Sequence, residues 1–293
     1  MVIINKTKEN KMKIGITGAT GQLGQIAVEQ LKKYVANNNI VALVRNPQKS
    51  EKFGVESREF DYTKPENLAE ALGGIDKLLL ISSNEIGQRA IQHSNVIEAA
   101  KKAGVKWIVY TSLLHADSTS LNLAEEHLAT EAMLKESGID FTILRNGWYT
   151  ENYTASVQSA IANGAFIGSA KNGKISSATR TDFAEAAAIV ISDEINKGKV
   201  FELAGDEFYT LTDLATEISK QTGKHIPYKD LPEAEYVNIL KSVGLQEVFA
   251  ESIASWDIGV SKNDLFDDSK QLSNILGRAT TPLSKAVSDV INS

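Results

Sequence analysis

Apolar and polar positions follow two rhythms along the first half of the chain. Short apolar runs at "KIGIT" (13–17), "IVALV" (40–44), "VESREF" (55–60), "KLLLIS" (77–82), "WIVYTS" (107–112) and "FTILR" (141–145) have the length and β-branched content of strands. Between them the period lengthens. "QLGQIAVEQLKKYVA" places Leu23, Ile26, Ala27, Leu31, Tyr34 and Val35 at helical spacing. "QRAIQHSNVIEAAKKAG" and "LAEEHLATEAMLKESG" repeat that pattern and stop at Gly104 and Gly138, where a left-handed residue can close a helix. Strands alternating with helices predict an α/β protein, its sheet parallel and covered on both faces. The nearly all-apolar "KLLLIS" and "WIVYTS" suit central strands.

After residue 146 the alternation breaks. "GWYTENYTASVQSAIANGAF" and "IGSAKNGKISSATR" read as loops and one helix, and "TDFAEAAAIVI" as a further helix. "KVFELAGD" (199–206) reads as a late strand and "TLTDLATEISKQTGK" as a helix opened by a threonine cap. The remainder reads as short helices, expected to pack over the ligand edge of the sheet as a small lobe.

Composition acts mainly by exclusion. The 293 residues, 42% hydrophobic and 23% charged, match a soluble globular chain with room for a large core. A net charge of −6 without a basic run gives no expectation of nucleic-acid or membrane-surface partners. There are no cysteines, which excludes disulfides and thiolate chemistry and fits a reducing compartment. The four histidines, His93, His115, His127 and His225, lack paired ligand spacing, so no metal is expected. No apolar run reaches membrane-span length, and "MVIINKTKENK" lacks the apolar centre of a signal peptide. The expected location is therefore cytoplasmic. Residues 1–11 are expected to be an extension, with Met12 a second start. The sequence leaves the oligomeric state open.

The candidate chemistry begins at "GITGATGQLG" (15–24). Three glycines alone also suit an ordinary turn, but here they lie between a strand and an amphipathic helix. Gly18 permits the sharp turn, Gly21 lets a pyrophosphate approach the backbone, and Gly24 lets helix and strand lie close. The helix N-terminus offers N–H groups and a positive dipole end to phosphates. The spacing GxxGxxG, rather than GxGxxG, implies a slightly longer turn. A dinucleotide-binding loop is the expectation. The end of the second strand distinguishes the two nicotinamide dinucleotides. An NAD site places an acid there for the ribose 2′-OH, whereas this chain has Arg45 in "LVRNP". A guanidinium suits a 2′-phosphate, so NADP(H) is expected; a solvated arginine at a strand end is the other possibility. In a sheet ordered 3-2-1-4-5-6, ligands lie beyond the C-terminal strand ends. Those ends carry "SSNE" (82–85), "TSLL" (111–114) and "RNGWYTEN" (145–152). Turn formation explains the serines and asparagines singly. It explains Trp148 and Tyr149 less well, because large rings in a polar loop need something to pack against.

With "GITGATGQLG", "LVRNP", "AAKKAGVKWIVYTS", "LRNGWYTENY", "ATRTDFAEAAA" and "LGR" (276–278), the chain from Met12 onward resembles the NmrA-like atypical short-chain dehydrogenases. Among these it is most similar to the bacterial type 2 NAD(P)H:quinone oxidoreductases. The resemblance implies a doubly wound parallel Rossmann sheet, NADPH without flavin, and reduction of a small-molecule quinone. The expected organisation is an NADP-binding Rossmann domain over 12–150 and a smaller, mostly helical substrate-side lobe over 151–293, some of whose segments return to the first domain. By position it implies cofactor contacts from Gly18, Ala19, Thr20, Gly21, Gln22, Leu23 and Gly24, then Arg45, then Ser82, Ser83, Asn84 and Glu85. It adds Asn146, Gly147, Trp148, Tyr149, Thr150, Glu151 and Asn152, and Arg180, which the residues alone would leave as a surface position.

The wider superfamily carries Tyr-x-x-x-Lys on the helix after the fifth strand, where the tyrosine donates a proton and the lysine lowers its pKa. Aligned on "HLATEAMLKESGIDFTILRNG", the lysine position is His127 and the tyrosine position Leu123, so the dyad is missing. That weakens the case for alcohol–ketone chemistry and leaves quinone reduction open, since the reduced oxygen can take its proton from water. Trp148, Tyr149 and Asn152 are candidates for shaping an acceptor pocket. His127 is either a donor or a buried packing residue. Two alternatives stand beside the quinone reductase: reduction of other delocalised electrophiles such as cationic dyes, and an NADP-binding redox sensor without turnover.

Overall fold

The computed structural model describes residues 12–293, and the extension expected at 1–11 lies outside the described residues. In chain order the first elements are β1 (Ile14–Thr17), α1 (Gln22–Leu31), β2 (Ile40–Val44), β3 (Glu56–Glu59), α2 (Pro65–Ala71), β4 (Lys77–Leu80), α3 (Arg89–Ala103), β5 (Trp107–Leu113), α4 (Ala124–Glu136) and β6 (Asp140–Asn146). There follow α5 (Thr150–Thr154), α6 (Val157–Asn163), β7 (Phe166–Gly168), α7 (Arg180–Ser192), β8 (Val200–Leu203), α8 (Leu211–Thr222), β9 (Tyr228–Asp230), α9 (Glu233–Ser242), α10 (Glu247–Val260), α11 (Gln271–Leu276) and α12 (Leu283–Ile291). The main sheet has seven strands in the order β3-β2-β1-β4-β5-β6-β8. It is the parallel, doubly wound Rossmann arrangement, with β1 between β2 and β4 in parallel register. The late strand expected at 199–206 is β8, which lies at the edge of the sheet beside β6.

The chain forms two compact units. Among the described residues the first comprises 12–111, 130–143 and 187–199, and the second 112–129, 144–186 and 200–293. In the first unit every residue of β1, β2 and β4 is buried. Val41, Leu43, Leu78, Leu80, Ile108 and Tyr110 on strands meet Leu68, Val96, Ile97 and Leu134 on helices, and Leu72 at the end of α2, in one core. Each such side chain contributes about 1.5–3 kcal/mol through burial. Lys77 lies in the buried β4 run, its ammonium 5.1 Å from the centre of the Trp107 ring and 3.4 Å from Glu194. β3 is a polar edge strand, and Arg58 on it donates to the carbonyls of Ala71 and Gly73, both at 2.7 Å. Charged side chains on such an edge discourage further strand pairing. Gly104 ends α3 with φ of +79°, the stop expected from the sequence.

The second unit has its own core, with Leu121, Tyr153, Val157, Phe166, Leu214, Ile218 and Val260 among its buried members. The expected threonine cap is Thr210. Its hydroxyl accepts from the Asp213 N–H while the Asp213 carboxylate accepts from the Thr210 N–H, a full capping box. One expectation needs correcting. The segments read as loops and short helices contain a second, two-stranded parallel sheet, β7 with β9. Each strand has three residues, too few for an alternation to declare itself.

Candidate functional site

The first unit carries the glycine loop. Gly18 has φ of +59°, a left-handed turn that a side chain would strain. The Gly21 N–H closes that turn on the Gly18 carbonyl at 2.8 Å, and α1 starts at the next residue. A Cβ on Gly24 would overlap the Gly18 carbonyl oxygen and the Ala19 Cα, so only glycine allows this approach of helix to loop. The N–H groups of Gln22, Leu23 and Gly24 have no partner within their own helix and add to the positive dipole end. Thr20 and Gln22 are exposed, and Ala19 and Leu23 are buried beneath the loop.

Arg45 follows β2 and is exposed, its Nη1 3.3 Å from Glu85 Oε1. The Ser82–Glu85 segment follows β4 and is tied down along most of its length. The Ile81 N–H donates to Thr17 Oγ1 at 3.0 Å and the Ser82 N–H to Thr111 Oγ1 at 2.9 Å. The Ser83 N–H donates to His93 Nε2 at 3.0 Å, and the Ser83 carbonyl accepts from Arg89 Nε at 2.8 Å. Because Nε2 accepts, the His93 proton is on Nδ1, which lies 2.9 Å from Thr130 Oγ1. Burial, helped by the Arg89 charge, pushes the His93 pKa down to about 3, so the ring is neutral and keeps this role. Asn84 is exposed at the tip of the segment. Sequence reasoning missed Thr17, His93, Gln92 and Thr111 as the supports of this loop. The polar type of Thr17 and Thr111 inside apolar strand runs was the available signal, and Gln92 and His93 on α3 offered none.

The second unit gathers the other set. β6 ends at Asn146, where Gly147 donates to the Leu203 carbonyl at 2.7 Å and Thr150 to the Ala178 carbonyl at 2.9 Å. Thr150 Oγ1 also lies 2.8 Å from Ser177 Oγ. Arg145 belongs to the scaffold, paired with Asp117 at 2.8 Å and Glu202 at 2.9 Å. Arg180, the first residue of α7, joins the loop residues into one cluster. Its N–H donates to the Glu151 carboxylate at 2.9 Å, its Nη2 to Asn152 Oδ1 at 2.8 Å, and its guanidinium lies 4.5 Å from the Tyr149 ring centre. Tyr149 also meets Phe183 edge to face at 5.5 Å. Burial raises the Tyr149 phenol above the ordinary tyrosine range, against the pull of Arg180 and of the Asn146 amide, so it stays protonated at neutral pH. Trp148 meets Trp256 edge to face at 5.4 Å. The packing partners that these two rings required are thus Phe183 and Trp256. Asn146 Oδ1 is buried with no hydrogen-bond partner. Such an acceptor costs about 1–3 kcal/mol unless a donor reaches it. His127 and Leu123 are buried, Leu123 as a member of the unit's core. Among the described residues no cluster of metal-ligating side chains occurs.

A glycine turn closed onto a helix N-terminus, followed by an arginine after β2, is an arrangement that suits a nicotinamide dinucleotide. A family model described as NAD(P)H-binding matches residues 18–194, and the chain belongs to this family. It is 56% identical to quinone oxidoreductase 2 of Escherichia coli (strain K12), over 95% of this chain and 99% of that protein. A crystal structure of an NADPH-dependent quinone oxidoreductase from Escherichia coli complexed with NADPH superposes with a TM-score of 0.93, covering 95% of this chain and 100% of that one at 56% identity. The Citrobacter sp. triphenylmethane reductase complexed with NADP(H) is 35% identical, with a TM-score of 0.92 over 95% of this chain and 100% of that one.

Proposed function

We propose that the protein is a cytoplasmic NADPH-dependent quinone reductase that works by direct hydride transfer without flavin. The carrying observation is the 56% identity, over nearly the full length of both chains, to a quinone oxidoreductase. The dinucleotide-binding loop supports it independently of that likeness. When bound, NADPH supplies the hydride.

In this reading the Gly18–Gly24 turn and the start of α1 hold the pyrophosphate, and Arg45 the 2′-phosphate. The Ser82–Glu85 segment, fixed from below by His93 and Thr111, borders the cofactor. Asn146 Oδ1 takes a donor from the bound ligand, which removes its burial cost. Glu151 and Asn152 hold Arg180, and Arg180 in turn holds the Tyr149 ring. Trp148 and Tyr149 wall the acceptor ring, so that catalysis comes mainly from placing one flat ring against another. Tyr149, being protonated, or water supplies the proton to the quinone oxygen. His127 is a packing residue in this scheme.

The 35% identity to a triphenylmethane reductase supports a second acceptor class, the cationic dyes, taken by the same site. The test is NADPH oxidation with a panel of quinones, dyes and aldehydes, then the same assay on three variants. Quinones are expected to be reduced fastest. Tyr149→Ala and Trp148→Ala should each raise KM or lower kcat clearly, and His127→Phe should change turnover by less than the roughly hundredfold of a general acid. Tight NADPH binding without turnover of any acceptor would favour the redox sensor. Collapse in the His127 variant alone would make that residue the donor.

A further inference from the structure

Arg45 does not stand alone at the end of β2. Its Nη1 lies 3.3 Å from Glu85 Oε1, and the other carboxylate oxygen of Glu85 accepts from Gln92 Nε2 at 2.7 Å. Gln92 is buried, and its own oxygen accepts from the Ser83 hydroxyl at 2.5 Å. The Glu85 N–H donates to that same hydroxyl at 3.2 Å. The carboxylate is therefore tethered to a fixed support and cannot swing off without breaking a bond to a buried amide. Asp61, a further acid whose charge reaches Arg45, is engaged instead by the N–H and hydroxyl of Thr63, at 3.0 and 2.8 Å.

An acid near the second strand's end is the usual mark of NAD sites and an arginine that of NADP sites. Here the two are paired. We propose that Glu85 is a specificity-determining residue, which competes with the cofactor's 2′-phosphate for Arg45 and holds the preference for NADPH over NADH below what Arg45 alone would give. The proposal rests on the assignment of Arg45 to the 2′-phosphate. A guanidinium that already carries a carboxylate has fewer N–H groups to offer a phosphate, and the two anions repel each other on it. NADH has no such phosphate, so the Arg45–Glu85 pair persists when it binds.

The experiment is direct binding of NADPH and NADH to the whole protein by titration calorimetry, with no acceptor present. Both partners are exposed, so the effect is modest: Glu85→Gln should tighten NADPH by about two- to fivefold and leave NADH nearly unchanged. Gln at this position still accepts from Gln92, which preserves the loop. The gain should fade toward 1 M salt, where the Debye length is about 3 Å. In an Arg45→Ala background the gain from Glu85→Gln should shrink, because only the direct repulsion between carboxylate and phosphate is left; an undiminished gain there would overturn the competition for the guanidinium. Equal gains for both cofactors, no gain, or a loss of NADPH affinity would overturn the proposal. An Arg45→Ala variant that keeps full NADPH preference removes the phosphate assignment and this proposal together. A normal Arg45→Ala loss beside an inert Glu85→Gln removes this proposal alone.

Discussion

Arg45 and His93 mark the two ends of what single residues disclose. The place of Arg45, just past the second strand, was legible in the alternation, and the duty proposed for it rests on that place. The expected outcome of Arg45→Asp is weaker NADPH binding by about ten- to a hundredfold, the worth of a charge-assisted bond at 1.5–3 kcal/mol, with NADH spared. Calorimetry on both cofactors checks it, and unchanged NADPH affinity would sink the assignment. His93 was not legible: a histidine on an amphipathic helix gives no sign of which loop it will hold. Its effect on stability has a definite sign. Its folded pKa is about 3, below the ordinary value of 6.5, so the unfolded chain binds the extra proton between those values. The stabilisation is present above pH 6.5 and falls by roughly 1.4 kcal/mol per unit as the pH drops toward 3. His93→Gln keeps an acceptor for the Ser83 N–H but cannot charge. Denaturant melts between pH 6.5 and 4.5 should therefore show a shallower acid slope in the variant. An identical slope would refute this account.

Elements were legible in proportion to their length and the contrast between their faces. β1, β2 and β4 sit buried between periodic helices, and their short apolar runs mark them. β3 survives as a strand although its four residues are Glu-Ser-Arg-Glu, because an edge position tolerates charge. β7 and β9 were missed because three residues carry no period, and their pairing joins Phe166 to Tyr228, positions far apart in the chain. The cluster of Tyr149, Glu151, Asn152 and Arg180 shows the same limit. The hydrogen bond from Arg180 to Asn152 spans 28 positions, and only the family resemblance placed that arginine among the site residues. Local capping chemistry, by contrast, was read directly. Thr210→Ala removes one half of the α8 capping box and should cost about 1 kcal/mol. Thermal or urea unfolding measures this, and a change within error would mean that the buried face of α8, with Leu211, Leu214 and Ile218, outweighs its cap.

At the scale of the whole molecule, one glycine fingerprint in 293 residues is the feature with the widest consequence. A single dinucleotide loop provides for one nicotinamide cofactor and leaves no second fingerprint for a flavin. If the hydride passes directly, as proposed, electrons leave NADPH only when the acceptor is bound in the same complex. The kinetic form of the reaction follows. Double-reciprocal plots with NADPH and a quinone varied together should intersect, as a ternary complex demands. A carrier reduced in one half-reaction and reoxidised in the other would give the parallel lines of ping-pong kinetics. Deuterium at the transferred position of NADPH should also slow single turnovers in which NADPH and quinone are mixed together, because the hydride reaches the quinone in one step. Protein purified under mild conditions should be colourless in the visible range. Parallel lines, or a yellow chromophore that bleaches on adding NADPH and returns on adding quinone, would show that the hydride passes through an intermediate carrier and would overturn direct transfer.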